Sequence, residues 1–157
     1  MTFGDKVVVM SDGKVHQTGR PETIYSRPAD TFVATFIGLP EMNLYSGKVM
    51  RREGRHYFQG QGLCLDLEGL PLEFDEVEVE VGIRPEDVKI RKDSIRAIQA
   101  RVEIINDVGS EKYIHASLGQ ARLILRVPKD KTFQPNEIIF LDIDPDRVHI
   151  FHKGLRI

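Results

Sequence analysis

A short motif occurs twice in the chain, and its residue types are suited to binding backbone groups or anions. The segment Ile83–Ile90 returns sixty residues later as Ile143–Ile150, with isoleucine, proline, valine and isoleucine at matching places. An acidic residue follows the proline in both copies, and a carboxylate in a turn accepts hydrogen bonds from nearby backbone N–H groups. The motif therefore predicts a structural turn in each copy. The candidate residues of these turns are Gly82, Arg84, Pro85, Glu86, Asp144, Pro145 and Asp146.

The alternative for this motif is a contact surface. Arg84 carries a planar guanidinium, which binds a carboxylate through two parallel hydrogen bonds. On this interpretation the first turn touches a partner domain. The structural turn remains the favoured interpretation because proline and acidic residues form turns in many proteins.

The other reactive side chains form no catalytic pattern. Ser110 follows Gly109 without the G-x-S-x-G elbow of a nucleophile. The Gly-Lys pairs at 13–14 and 47–48 lack the earlier glycine of a phosphate-binding loop. One cysteine, Cys64, and five scattered histidines do not give the converging ligands of a zinc site. We therefore expect no catalytic residue, no cofactor site and no metal site in this chain.

Two of the histidines are close in sequence. His149 and His152 lie three positions apart, and in a regular strand they point to opposite faces. We expect both to be exposed to solvent, with His152 outside the strand.

Composition excludes several classes of protein. The chain has 157 residues and a formal net charge of -2, with 22 basic and 24 acidic side chains. This net charge does not favour binding to nucleic acid or to anionic lipid. Its longest apolar runs, such as Val7–Met10, are far below the roughly 20 residues of a membrane-spanning helix. We expect no direct membrane insertion, and the single cysteine fits a reducing cytoplasm.

The first 40 residues differ from the rest. Asp12 and Gly13 separate two β-prone runs, Val7–Met10 and Lys14–Thr18, which predicts a β-hairpin. A short helix follows from Pro21, and a second is predicted from Pro28 to Ile37, with Phe32 and Phe36 on one stripe and Gly38 as the stop.

The remainder is predicted to be β structure. Val77, Val79 and Val81 alternate with glutamates, the pattern of a half-buried strand. Further short strands follow in a turn-rich sequence, which implies a barrel or sandwich. Because the repeated motif closes each half, we predict two copies of one small β module, at about 44–95 and 96–157. The fold class is mostly β: tandem OB-like β modules, preceded by a short β-hairpin plus helices.

The sequence resembles one family. The blocks that carry the resemblance are Val7–Gly19, Pro21–Tyr25, Pro28–Gly38, Met42-Asn43, Gly82–Glu86 and Asp144–Phe151. Together they resemble the ATPase subunit of maltose-type carbohydrate ABC importers. The resemblance implies that residues 1–40 end a nucleotide-binding domain, and that residues 41–157 form a transport-associated OB-type regulatory domain.

The family's ATPase motifs all precede the part that this chain resembles. The resemblance therefore implies a noncatalytic chain, with ATP and Mg bound by the full-length parent. It implies a homodimer through the C-terminal domain, permease subunits contacted through the missing ATPase domain, and a regulatory protein as a further partner. It also implies a cytoplasmic protein, peripheral on the inner face of the plasma membrane, that powers import of a sugar or glycerol phosphate.

Two other functions stay open. Related OB modules bind oxyanions such as molybdate or sulfate, and Arg84 and Lys89 supply cations, although their counterparts Asp144 and His149 do not repeat the charge. The other candidate function is binding of single-stranded nucleic acid. The basic cluster Arg51–His56 precedes two aromatic residues, and such a combination can bind single strands. A charged hairpin end is the favoured explanation of that cluster, and the net charge disfavours nucleic acid.

Overall fold

The computed structural model describes residues 5–92 and 97–157. The predicted boundary between the two modules, at 95/96, and residues 1–4 lie outside these ranges. The described part is mostly β, as predicted, and is organised in three sheets. Within it, no helix is both long and apolar enough to cross a membrane.

The N-terminal hairpin forms where the sequence predicts it. Strands β1 (Val7–Ser11) and β2 (Lys14–Gly19) pair antiparallel. Asp12 and Gly13 turn the chain with φ values of 49° and 74°, a conformation in which glycine carries no steric cost. Helix α1 (Pro21–Ser26) follows directly, with proline in its first turn.

The second helix is shorter than predicted. Helix α2 spans Thr31–Phe36 instead of beginning at Pro28. Asp30 is its N-cap: the backbone there is extended, and one carboxylate oxygen accepts the N–H of Val33 at 2.8 Å. The other oxygen lies 2.6 Å from Nδ1 of His16 on β2, so the cap also fastens the helix to the hairpin.

The remaining strands form two antiparallel sheets. The strands of the first sheet are β3 (Asn43–Arg52), β4 (Arg55–Gly60), β5 (Leu63–Asp66), β6 (Glu76–Ile83), β12 (His149–His152) and β13 (Leu155–Arg156). The strands of the second are β7 (Val88–Arg91), β8 (Ile98–Asp107), β9 (Glu111–Leu118), β10 (Ala121–Pro128) and β11 (Ile138–Ile143). The first sheet has the order β13-β12-β6-β3-β4-β5, and the second has the order β10-β9-β8-β11-β7.

The two halves of the chain exchange a strand. After β6 the chain crosses to the second sheet, where β7 pairs with β11; after β11 it crosses back, where β12 pairs with β6. Gly82 lies opposite His149. Their counterparts in the repeat, Asp142 and Lys89, lie opposite each other as well. The two exchanged strands therefore pair in the same register. The sheets therefore do not follow the contiguous modules 44–95 and 96–157.

One core joins the two sheets. Its buried members include Val49, Phe58 and Val81 from the first sheet and Ile114 and Leu125 from the second. A smaller cluster of Val9, Ile24 and Val33 holds the hairpin against the helices.

Candidate functional site

The two repeated turns meet at the place where the helices rest on the β structure. The first turn connects β6 to β7. The second contains a 3-10 turn, Pro145–Arg147, and connects β11 to β12. Both turns, the end of α1 and Arg156 of β13 line one cavity of about 390 Å³. We call this region the junction. Three of the residues singled out in the repeated motif line it: Arg84, Glu86 and Asp146.

Arg84 is the centre of the junction. The residue is only 2% exposed, so its guanidinium does not reach a partner's carboxylate, and the structural turn is favoured over the contact surface. One guanidinium nitrogen, Nη1, donates to the carbonyl oxygens of Ala34 at 3.2 Å and Ile37 at 2.6 Å. The other, Nη2, donates to the carbonyl oxygen of Tyr25 at 2.8 Å. Arg84 therefore ties β6 to the C-terminal ends of both helices.

These carbonyl groups are the natural partners of a cation. The last carbonyl groups of a helix have no partner within it and carry partial negative charge. A buried guanidinium that donates several hydrogen bonds is therefore compensated without a carboxylate. Burial nevertheless lowers the pKa of Arg84, because desolvation disfavours the charged form.

Gly38 makes room for this arginine. A Cβ at this position would lie 2.8 Å from Nη1 of Arg84, and its φ of 132° is one that other residues rarely adopt. The helix stop predicted at Gly38 therefore has a second role, which is to let the chain pass over the guanidinium.

Glu86 works differently from the predicted turn cap. Its carboxylate accepts a hydrogen bond from the hydroxyl of Tyr25 on α1. Burial and this carboxylate raise the pKa of Tyr25 to about 12. Glu86 thus adds a side-chain link between the first turn and the helix, rather than closing its own turn.

In the second turn the capping residue is Asp144. Its Oδ1 accepts the backbone N–H of Asp146 at 3.1 Å, whereas Asp146 itself is exposed. The prediction that Asp146 caps the turn therefore picks the wrong carboxylate. Pro145 opens the 3-10 turn, which suits its fixed φ, and Pro85 is buried at the matching place.

Gly82 precedes the first turn within β6. A Cβ there would lie 2.4 Å from the sulfur of Met42 and 3.2 Å from the ring of Phe151. Glycine at this position therefore allows β12 and the residues before β3 to pack closely on β6.

His149 and His152 both belong to β12, contrary to the prediction for His152. His149 is only 8% exposed, so the expectation of two exposed histidines is also wrong. Burial and the nearby charge of Arg156 lower the pKa of His149 to about 4, so the imidazole is neutral at neutral pH. Nη1 of Arg156 lies 2.6 Å from Nδ1 of His149 and donates to it.

The basic cluster at the tip of β3 and β4 faces acidic neighbours. Arg51 lies 3.6 Å from Asp75, and Arg55 lies 3.2 Å from Glu68. His56 bonds through Nε2 to the carbonyl oxygen of Phe74 at 2.9 Å. This geometry supports the charged hairpin end rather than a nucleic-acid platform.

Metal ligands do not converge in the described ranges. Among residues 5–92 and 97–157, no group of three or more histidine, cysteine, aspartate or glutamate side chains is placed to hold a metal ion.

Comparison with known proteins supports the resemblance. Residues 81–151 match the family described as the TOBE domain. An sn-glycerol-3-phosphate import ATP-binding protein of Agrobacterium fabrum is 36% identical over 151 residues, which cover 96% of this chain and 40% of that protein. An ABC transporter ATP-binding protein of Sinorhizobium fredii is 36% identical over 160 residues, which cover 100% of this chain and 42% of that protein. The chain thus spans about 40% of the length of these relatives.

A solved structure supports the fold. The cytoplasmic molybdate-binding protein ModG superposes with a TM-score of 0.53 over 70% of this chain and 95% of its own, at 16% identity. At this identity the likeness concerns the OB-type fold alone.

Proposed function

We propose that this chain is the C-terminal regulatory part of an importer's ATP-binding subunit, because residues 81–151 match the TOBE domain and the chain resembles about 40% of an sn-glycerol-3-phosphate import ATP-binding protein. On this proposal it holds two ATPase subunits together and receives regulatory signals. The ATPase domain of the full-length subunit binds ATP and Mg and drives import of a sugar or glycerol phosphate. The assembled subunit is cytoplasmic and peripheral to the membrane, where it meets its permease.

The observation that carries this proposal is the Arg84 junction. The guanidinium ties the TOBE-type sheet to the carbonyl groups of Tyr25, Ala34 and Ile37 in the helical unit. If residues 1–40 end the nucleotide-binding domain, a signal received by the β domain reaches that domain through this contact. Buried, hydrogen-bonded contacts of this kind are suited to carry energetic coupling between two units.

The hairpin supports the assignment of residues 1–40 to a preceding domain. One of its faces packs on the helices through Val9, whereas Val8, Met10 and Val15 are 51%, 54% and 57% exposed. A two-stranded sheet is marginally stable unless another element covers it. We infer that the ATPase domain of the full-length subunit covers this face.

The experiment that tests dimerisation is light scattering after size exclusion, over a concentration series of the 157-residue chain. A dimer that dissociates on dilution supports the proposal. A strict monomer at high concentration, together with a full-length subunit that also stays monomeric, contradicts it.

The regulatory role needs a second measurement in the full-length subunit assembled with its permease. Arg84→Lys keeps the charge but loses the planar fork that reaches several carbonyl groups. We expect altered transport-stimulated ATP hydrolysis with ATP binding unchanged. Unaltered stimulation in a folded Arg84→Lys subunit contradicts a coupling role for the junction.

The oxyanion alternative loses one of its two predicted cations. Arg84 is buried and committed to carbonyl groups, while Lys89 is exposed on β7. An anion site between Arg84 and Lys89 is therefore not what the geometry favours. Calorimetry with molybdate and sulfate tests this alternative, with saturable heat at one or two sites per chain as its expected result.

A further inference from the structure

Among the described residues, the outer edge of β10 is covered by side chains and one carbonyl group rather than by another strand. β10 lies at one end of the second sheet and pairs with β9 along its inner edge. In an antiparallel strand the backbone groups of alternate residues point to the same edge, so those of Arg122, Ile124 and Arg126 point away from β9. An edge of this kind, left open, pairs readily with a strand of another chain.

Asn43 covers the middle of this edge. It begins β3 and is only 9% exposed. Its side-chain Oδ1 accepts the backbone N–H of Ile124 at 2.7 Å, and its Nδ2 donates to the carbonyl oxygen of Ile124 at 2.9 Å. Nδ2 also donates to the carbonyl oxygen of Ile83 on β6 at 3.1 Å. The side-chain amide therefore pairs with Ile124 as the backbone of an adjacent strand would.

Two further groups complete the cover. The hydroxyl of Tyr45, a residue that is 2% exposed, donates to the carbonyl oxygen of Arg122 at 2.8 Å. The carbonyl oxygen of Pro85, in the first repeated turn, accepts the backbone N–H of Arg126 at 2.9 Å. The outward-facing backbone groups from the carbonyl of Arg122 to the N–H of Arg126 are therefore bonded within the chain.

The strand that best fits this edge is β5 of a second copy of the chain. β5 lies at one end of the first sheet, and its residues Cys64 and Asp66 are exposed. If Cys64 lies opposite Ile124 in an antiparallel pair, Asp66 lies opposite Arg122, and opposite charges at facing positions are favourable. Pairing of β10 with itself about Ile124 places Arg122 opposite Arg126 instead, which is unfavourable.

We propose that Asn43 and Tyr45 close the edge of β10 against the addition of β5 from a second copy of the chain. Contacts between two different edges do not form a closed two-fold dimer, and they extend from one molecule to the next. The two side chains keep the chain free of such assembly. This inference goes beyond the proposed regulatory role and rests on the hydrogen bonds of β10.

Amide hydrogen exchange of the native chain tests the cover directly. The N–H groups of Leu123 and Leu125 point to β9 and serve as the reference. Those of Ile124 and Arg126 should exchange as slowly as the reference, within about tenfold after correction for intrinsic rates, because both have acceptors within the chain. Exchange faster than this at both residues would overturn the proposal, and the measurement needs no variant.

Asn43→Ala combined with Tyr45→Phe opens the edge. The N–H of Ile124 should then exchange about tenfold faster or more, since a buried hydrogen bond is lost. Light scattering after size exclusion should show particles larger than those of the native chain, with a size that increases with concentration. A folded double variant that keeps the particle size of the native chain contradicts the proposal.

Asn106→Ala is the matched control for the opened edge. Asn106 is exposed on β8, and its Nδ2 lies 3.1 Å from Nε2 of His115, so this variant also removes an asparagine with a side-chain hydrogen bond. It should keep the particle size of the native chain. If the double variant does not fold, Tyr45→Phe alone takes its place, because it loses only a hydroxyl group, and the same growth in particle size is expected.

Arg122→Glu, added to the opened variant, identifies the strand that adds. It places a carboxylate opposite Asp66 of β5 and should reduce the particle size. In self-pairing of β10 the same carboxylate faces Arg126 and should increase the particle size. Unchanged or larger particles would therefore overturn β5 as the added strand. Each result is a difference between a variant and the native chain, so the oligomeric state of the native chain still tests the proposed function separately.

Discussion

The guanidinium of Arg84 lies over the ring of Tyr25, with its Cζ 3.9 Å from the ring centroid. The same guanidinium donates to the backbone carbonyl of Tyr25, and the Tyr25 hydroxyl donates to Glu86, two residues beyond Arg84. A cation over an aromatic face contributes about 1–2 kcal/mol when it is shielded from water. Tyr25 thus contacts the first repeated turn through its ring, its carbonyl group and its hydroxyl group. These three contacts fix α1 on the β structure.

Removing the Arg84 side chain should therefore weaken the contact between the two helices and the β structure. Arg84→Ala leaves the carbonyl groups of Ala34, Ile37 and Tyr25 without their donor, and we expect a loss of about 3 kcal/mol in the free energy of unfolding. Urea unfolding of the native chain and the variant measures it. Arg52→Ala, on an exposed strand end, should change stability by less than about 0.5 kcal/mol. Equal stability of Arg84→Ala and Arg52→Ala would contradict the junction as described.

Gly38→Ala should affect the same contact from the other side. The new Cβ would meet Nη1 of Arg84 at 2.8 Å, and that nitrogen cannot move without losing its 2.6 Å bond to Ile37. We expect a loss above about 2 kcal/mol from the clash and the strained φ together.

Gly54→Ala is the control that separates these two causes. Gly54 also has a positive φ, 81°, but a Cβ added there would have no neighbour within 4 Å among the described residues. Its loss should be limited to about 1 kcal/mol from backbone strain. Thermal unfolding of both variants gives the comparison, and equal losses would show that Gly38 is needed for its φ alone.

Local rules account for the elements that the sequence predicts correctly. The Asp12-Gly13 turn, the proline at the start of α1 and the alternation of Val77, Val79 and Val81 depend on neighbours within a few residues. The predicted start of α2 at Pro28 is wrong. Pro28 and Asp30 both signal a helix start, and the helix begins after Asp30 because this side chain accepts the N–H of Val33.

The junction depends on contacts that no local rule contains. Arg84 bonds to residues 47 to 59 positions away, so its burial follows from how the helices fold back on β6. The strand exchange is also nonlocal, although the repeat of Ile83–Ile90 at Ile143–Ile150 signals that the two turns are equivalent. His149 shows the limit of that signal: its counterpart Lys89 is exposed, whereas His149 is buried and bonded to Arg156 of β13.

Acid should destabilise the chain through His149. Its pKa falls from 6.5 to about 4 on folding, so the unfolded chain binds a proton that the folded chain does not. Stability from this group is present above about pH 6.5 and is lost as the pH falls toward 4, by roughly 3 kcal/mol in all.

His149→Gln tests this by removing the titrating group. The free energy of unfolding, measured by urea between about pH 7 and 4.5, should fall less steeply in the variant than in the native chain. The raised pKa of Asp87 acts in the opposite direction in both proteins, so it cancels in the comparison. Identical slopes would show that His149 titrates normally.

Alkali should act through Tyr25. Its pKa rises from 10.0 to about 12 on folding, first because of burial and then because of Glu86. The folded chain keeps the phenol proton more tightly, so this stabilising contribution is complete below about pH 10 and decreases as the pH rises toward 12. Tyr25→Phe keeps the ring over Arg84 and should show a shallower loss of stability across that range, measured by denaturant unfolding. A loss as steep as that of the native chain would assign the effect to other tyrosines.

The second repeated turn allows the two neighbouring aspartates to be compared directly. The carboxylate of Asp144 accepts the N–H of Asp146 at 3.1 Å, and the backbone N–H of Arg147 donates to the Asp144 carbonyl at 2.9 Å. Asp144→Ala removes only the side-chain bond, and we expect a loss of about 1 kcal/mol, as for other N-terminal caps. Asp146→Ala, at an exposed position two residues later, should stay within about 0.5 kcal/mol of the native chain. Asp144→Asn, whose amide oxygen still accepts the bond, should retain most of the stability that alanine loses. Urea unfolding of the three variants measures these losses in the free energy of unfolding. A larger loss for Asp146→Ala than for Asp144→Ala would show that Asp146 caps the turn.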